Sequence, residues 1–188
     1  SSNARVPLAY CQLLLAASVA WTGYTVSHSL PYWPVDPWLS INPWFNFELD
    51  LARTLWAILP ATLLWGASFP LALAAAAQPG DDPAQLSGRV YAINTLGSIV
   101  GSLAFSLWLI PTFGSTASQQ VLIVLAGLTA LLAFENVLYR GAALVLAGAL
   151  TLAVTDVPWQ VIAYGRRIAP IVRAFDLYDR ANPTTVLF

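Results

Sequence analysis

Residues 88–111 read GRVYAINTLGSIVGSLAFSLWLIP, and after Arg89 this stretch contains no charged residue. At a rise of about 1.5 Å per residue, a helix of this length covers the roughly 30 Å hydrocarbon core of a bilayer. An Asn, a Thr, several Ser and three Gly nevertheless stand among the apolar residues. The stretch therefore predicts a membrane-spanning helix that has one face of small and polar side chains.

The composition of the whole chain is that of a membrane protein. Of its 188 residues, 58% are hydrophobic and only 9% are charged, whereas a soluble domain carries about 25% charged residues. The apolar runs are continuous rather than alternating, which excludes a membrane β-barrel and predicts an all-α fold. The formal net charge is −1, with the charges scattered singly, so a nucleic-acid partner is excluded.

The apolar runs predict a polytopic bundle of about five transmembrane helices within residues 1–158. A Trp- and Pro-rich segment, residues 29–50, separates the first two helices, and its aromatic rings suit the interface between lipid and water. Residues 159–188 are more polar and are predicted to be an extramembrane or interfacial linker that leads to an absent domain. The predicted helices cover about residues 6–27, 48–78, 88–111, 117–135 and 141–157.

Small residues define one side of the third predicted helix. Gly97 and Gly101 form a GxxxG element. Because lipid tails are as apolar as Leu, membrane helices associate where small residues let their backbones approach. The Asn94 amide is costly to expose to lipid, so it is expected to hydrogen-bond to a neighbouring helix. This pattern predicts a central helix, although a polar substrate path along Tyr91, Asn94 and Thr95 is an alternative.

The ionisable residues offer few candidates for chemistry. His28 is the only histidine, and the sequence places no metal ligand or catalytic partner near it, so a hydrogen-bonding role is expected. Glu48, Asp50 and Arg53 lie at the start of the second predicted helix, where the acids suit the helix dipole and Arg53 can pair with Asp50. No cofactor or metal site is predicted for this chain.

Ten spaced residues form a longer motif: Phe69, Pro70, Gly88, Tyr91, Asn94, Thr95, Gly97, Gly101, Pro111 and Gly114. Their order resembles the membrane region of bacterial spermidine-synthase-like proteins, in which a multi-helix, transporter-like region precedes a polyamine aminopropyltransferase-type domain. The resemblance implies that this chain lies in the bacterial inner membrane and anchors such a domain. A second implied role is that the chain supplies substrate to the domain.

The catalytic half that the resemblance implies is not found among these residues. Aminopropyl transfer in that family uses decarboxylated S-adenosylmethionine, held by a glycine-rich turn after a strand together with acidic residues. The chain lacks that pattern, so this segment itself is expected not to be catalytic.

Two non-enzymatic alternatives stay open. One is a helical accessory subunit of a larger membrane complex. The other is a transporter fragment, for which Pro60 and Pro70 in the second predicted helix are the only hint of a broken helix. The expected partners are the lipid bilayer and other membrane helices or subunits.

Overall fold

The computed structural model describes residues 2–33, 41–158, 161–163, 171 and 174. All regular elements within these residues are helical, which confirms the all-α prediction. Residues 34–40 and most of the predicted linker 159–188 lie outside the described residues. Five α-helices lie entirely within the described residues: α1 (Ser2–Tyr24), α2 (Pro43–Ala76), α3 (Pro83–Ala104), α4 (Ile110–Ala133) and α5 (Val137–Ala153).

The chain is a membrane protein. In the described part of the chain, three helical stretches are long and apolar enough to cross a bilayer, namely Ala4–Tyr32, Pro43–Ala76 and Pro83–Ala133. The third stretch combines α3 and α4. The remaining helix, α5, is apolar but has only 17 residues, which extend over about 25 Å.

All five helices begin earlier than predicted, and for α2, α3 and α5 the residue before the helix gives a common reason. The Asn42 side chain accepts a hydrogen bond from Trp44 N at 3.0 Å, Asp82 accepts one from Ala84 N at 3.0 Å, and Asn136 accepts one from Leu138 N at 2.8 Å. Each side chain satisfies a backbone donor that the first helical turn leaves without a partner. The predicted starts at residues 48, 88 and 141 are therefore late, by four or five residues each.

The other boundaries follow local backbone geometry. The first helix is α-helical only to Tyr24, because a π-helical turn (Thr25–Ser29) and a 3₁₀ turn (Leu30–Tyr32) follow. A second π-helical turn, Phe105–Leu109, joins α3 to α4. The predicted break near residues 111–115 is confirmed at Gly114, which has φ 82° and ψ 175° inside an otherwise helical stretch. A positive φ of this size favours Gly over other residues.

The chain divides into two compact units. The bundle unit contains residues 1–23 and 58–154, and the polar unit contains residues 24–57 and 155–188.

Within the bundle unit, α4 packs antiparallel to α1. Ala9, early in α1, shares a buried cluster with Ala130 and Ala133, late in α4, whereas Ala16 and Val19 share a second cluster with Ile123 and Ala126. The side chains at these contacts are small, as expected where helices approach closely without a hydrophobic driving force.

Helix α5 also runs antiparallel to α4. The Gln120 Nε2 of α4 donates to Thr151 O at 3.2 Å and to Val154 O at 3.4 Å. These carbonyls lie at the C-terminal end of α5, where backbone acceptors lack intrahelical partners. One glutamine therefore both caps α5 and holds it in register with α4.

Helices α4 and α5 approach each other closely at Gly127. A Cβ placed on Gly127 would be 2.5 Å from the Cβ of Ala147, which is far inside the contact distance of two carbon atoms. Ala143, one turn before Ala147 on α5, is also buried. A single methyl group at position 127 cannot be accommodated unless α4 and α5 move apart.

We expect Gly127→Ala to destabilise the protein by about 1–3 kcal/mol, the usual cost of overpacking a close contact. The variant should lower the melting temperature, measured by circular dichroism in detergent micelles. Gly148→Ala is the matched control, because Gly148 is helical and has no atom within 4 Å of its added Cβ. The control should match or exceed the wild-type melting temperature, since Ala favours helix by about 1 kcal/mol over Gly. Equal melting temperatures for the two variants would contradict the contact.

Candidate functional site

The motif residues fall on three consecutive elements of the bundle unit. Phe69 and Pro70 lie in the last two turns of α2, and Pro111 and Gly114 lie around the break at the start of α4. The other six lie on α3: Gly88, Tyr91, Asn94, Thr95, Gly97 and Gly101. In sequence order, the motif residues therefore run from the end of α2 along α3 to the break at Gly114.

Helix α3 is exposed along its length. It has no buried residue, and every residue from 91 to 100 is exposed. A Cβ added to Gly88, Gly97 or Gly101 would meet no atom within 4 Å. The prediction that this helix lies at the centre of the bundle is therefore wrong for the chain by itself, and packing of the GxxxG face on another chain stays a prediction.

Three hydroxyl groups in the second half of α3 are bonded within the helix itself. Thr95 donates to Tyr91 O at 2.9 Å, Ser98 donates to Asn94 O at 2.8 Å, and Ser102 donates to Ile99 O at 3.0 Å. Ser106 bonds in the same way to Ser102 O. Back-bonding of this kind removes the cost of an open hydroxyl group. These residues can therefore face lipid, which explains how an exposed helix tolerates them.

The Asn94 side chain has no such bond. It is exposed and has no hydrogen-bond partner among the described residues. The expected bond to a neighbouring helix is therefore absent from the described part of the chain. A carboxamide without a partner is costly in hydrocarbon, so Asn94 marks the position on α3 where another molecule would be most favourable.

The close helix contacts are made by small residues outside the predicted motif. The contact of α4 with α1 and α5 is made by Ala126, Gly127, Ala130, Ala143 and Ala147. Ala126 and Ala130, and likewise Ala143 and Ala147, repeat at four-residue spacing. This is the same signal as GxxxG with Ala in place of Gly, so a search for small residues in general would have found it.

In the polar unit, several polar side chains cluster at the π-helical turn that follows α1. His28 Nε2 and Thr155 Oγ1 are 2.6 Å apart, which confirms the predicted hydrogen-bonding role of His28. The ring of Tyr24 lies 6.1 Å from the His28 ring. Thr25 and Ser27 of the same turn are buried. Because π-helical turns in helices are frequent at functional sites, this turn is the second place in the chain to consider for a role.

Arg53 is a buried charge on α2 within the same unit. Its side chain is 7% exposed, its Nη1 lies 3.9 Å from Asp50 Oδ1, and its Nη2 donates to Trp33 O at 3.5 Å. The predicted pairing with Asp50 is thus confirmed. The predicted effect on the helix dipole is wrong, because α2 begins at Pro43 and neither Glu48 nor Asp50 lies in its first turn.

Neither metal-ligand clusters nor similarity to known proteins points to a further site in the described residues. In the residues that the structure describes, no group of three or more His, Cys, Asp or Glu side chains could hold a metal ion. Comparisons of the chain with known protein families, with curated proteins and with solved structures find no match.

We expect the hydrogen bond between His28 and Thr155 to contribute about 0.5–1.5 kcal/mol of coupling to the stability of the polar unit. A double-mutant cycle with His28→Leu and Thr155→Val, followed by denaturant unfolding, measures this coupling. Thr54→Val is the control partner, because the Thr54 hydroxyl bonds to Asp50 O of its own helix. A coupling between positions 28 and 155 no larger than that between positions 28 and 54 would refute the bond.

Proposed function

We propose that this chain is the membrane-embedded part of a spermidine-synthase-like protein and anchors an aminopropyltransferase-type domain. The observation that carries this proposal is the placement of the motif. Six of its ten residues lie on α3, and its last residue, Gly114, occupies the one position of the following stretch whose φ, 82°, favours Gly. The spacing that suggests the family is therefore compatible with the end of α2, with α3 and with the break at Gly114 inside α4.

Anchoring in a membrane requires exposed apolar surface, and several helices of this chain provide it. Large apolar side chains are exposed on α2, α3 and α5, including Leu63, Ile93, Leu96, Val145 and Leu152, which are 63–83% exposed. Each fully lipid-covered side chain of this size contributes about 1.5–3 kcal/mol relative to water. Several such helices would hold an attached domain at a bacterial inner membrane as a multi-pass anchor.

The proposal predicts that enzyme activity follows these helices to the membrane. The gene is read past the codon for Phe188, and the encoded protein is expressed with and without residues 1–158. Aminopropyl transfer from decarboxylated S-adenosylmethionine to putrescine is then assayed in the membrane and soluble fractions. We expect the protein with residues 1–158 to show activity in the membrane fraction. The protein without these residues should show activity in the soluble fraction.

An unrelated helical bundle fused in place of residues 1–158 is the control for that experiment. It should return the activity to the membrane fraction, since anchoring does not depend on these particular helices. Two results would contradict the proposal: a gene without a glycine-rich cofactor turn after residue 188, or activity that stays in the membrane fraction after the deletion.

A helical accessory subunit is the second candidate, and the exposure of α3 favours it. The open GxxxG face and the Asn94 amide lie on the same helix, and a neighbouring membrane helix could cover both. Under this alternative the binding partner is a protein in the membrane rather than a domain attached to the chain.

We expect a photo-crosslinker on this face to capture a protein partner in native membranes. Cys11→Ser is made first, so that a benzophenone maleimide reacts only with the introduced Gly97→Cys. Ile99→Cys is the matched control, because position 99 lies about 200° around the helix from position 97 and is also exposed. A discrete higher-mass adduct from position 97 alone supports a partner, whereas lipid adducts from both positions rule one out on this face.

A further inference from the structure

A cleft opens between α1, α2 and α4 in the bundle unit. Its volume is about 170 Å³, and its lining includes Leu15, Val19, Leu122 and Ala126, together with the polar residues Gln12, Trp65 and Thr129. None of the residues that line it is charged. A cationic ligand such as a polyamine would find no counter-charge here, so the cleft is independent of the function proposed above.

Two polar side chains in this lining have no hydrogen-bond partner among the described residues: the Gln12 carboxamide and the indole N–H of Trp65, which is 49% exposed. The adjacent positions hold the two helices in register, since Cys11 Sγ donates to Leu64 O at 3.4 Å. Gln12 and Trp65 therefore face one cleft from neighbouring helices. Thr129 differs from them, because its hydroxyl donates to Leu125 O at 2.9 Å.

The chemistry of these two groups restricts the ligand. An indole N–H is a donor only, and a carboxamide offers two donors and one acceptor. In hydrocarbon no water is present to satisfy them. A ligand with a carbonyl oxygen would accept from both groups, whereas an acyl chain would leave both without a partner, at the cost of burying open polar groups.

The volume of the cleft is large enough for a ring. An enclosed apolar cavity of about 150 Å³ binds benzene, so a cleft of about 170 Å³ that opens to the surface has room for one six-membered ring. We propose that the cleft binds the ring of a neutral, membrane-soluble quinone, with a ring carbonyl that accepts hydrogen bonds from Gln12 and Trp65. The remaining apolar lining contacts the ring, and the alkyl chain of the quinone extends into lipid.

The test uses decyl-1,4-benzoquinone and the chain reconstituted in nanodiscs. Bound quinone is measured by its absorbance after subtraction of the amount taken up by empty discs. We expect saturation at one quinone per chain. We also expect decylcyclohexane, which has a similar ring and chain but no carbonyl, to compete poorly. Equal competition by decylcyclohexane would show that the cleft takes any lipid tail, and uptake no greater than in empty discs would show that there is no site.

Variants of the two polar residues test the hydrogen bonds. Trp65→Phe keeps an aromatic ring without the N–H, and Gln12→Leu keeps an extended side chain without the amide. Each should weaken quinone binding about five- to tenfold, the effect of losing one hydrogen bond. Trp44→Phe is the control, because Trp44 lies on the same helix, is 73% exposed and does not line the cleft.

The melting temperature of each variant without quinone separates binding from folding. Weaker binding by both cleft variants, with melting temperatures near the wild type, supports the proposal. Unchanged affinity in both, or equal weakening by Trp44→Phe, would overturn it.

Discussion

The close approach of α4 to its neighbours is the constraint on which the bundle unit depends. In a bilayer, helices gain little by hiding apolar surface from lipid that is equally apolar, so dispersion between closely spaced backbones must hold them together. Gly127 and Ala147 bring α4 and α5 so close together that a Cβ at position 127 would overlap the Ala147 side chain. Buried alanines extend the same close packing toward α1. The order of helices around α4 follows from these small residues.

Polar groups in the chain are arranged so that most of them do not need partners on other helices. Hydroxyls on α3 and α4 donate to carbonyls of their own helices, as Ser98, Ser118 and Thr129 do. Gln120 bonds to the open carbonyls at the end of α5. The side chains of Asn94, Gln12 and Trp65 differ from these, because none of them has such a bond among the described residues. They lie on exposed or cleft-lining surfaces, which is where a second molecule can reach them.

Much of the fold could be predicted from the sequence because it depends on length and hydropathy. The all-α class, five helices and a break near Gly114 all follow from apolar runs and from residues that interrupt them. The helix starts do not follow from hydropathy, because each depends on the cap made by one side chain, namely Asn42, Asp82 or Asn136. The signal was present, since Pro follows Asn42 and Asp82 directly, and Pro is common at the first position of a helix.

The position of α3 could not be predicted from its sequence. Gly97 and Gly101 show that a helix can be approached closely, but the pattern does not say whether the approaching surface belongs to the same chain. Ala126, Ala130, Ala143 and Ala147 carry an equivalent pattern without Gly, and they form the internal contacts instead. A motif of small residues thus predicts contact but does not identify the partner. The cleft could not be predicted either. Gln12 and Trp65 are 53 positions apart in the sequence, and they line one cleft only when α1 and α2 pack together.

The measurement that tests the central claim most directly is oxygen accessibility of spin labels along α3 and α4, in the purified chain reconstituted in bilayers. Labels at successive positions from 116 to 133 should show a helical period, with the lowest accessibility at Ile123, Gly127 and Ala130. Labels from 91 to 100 should be accessible at every position. The reverse result, with protection at positions 97 and 101 and uniform accessibility along α4, would contradict the account.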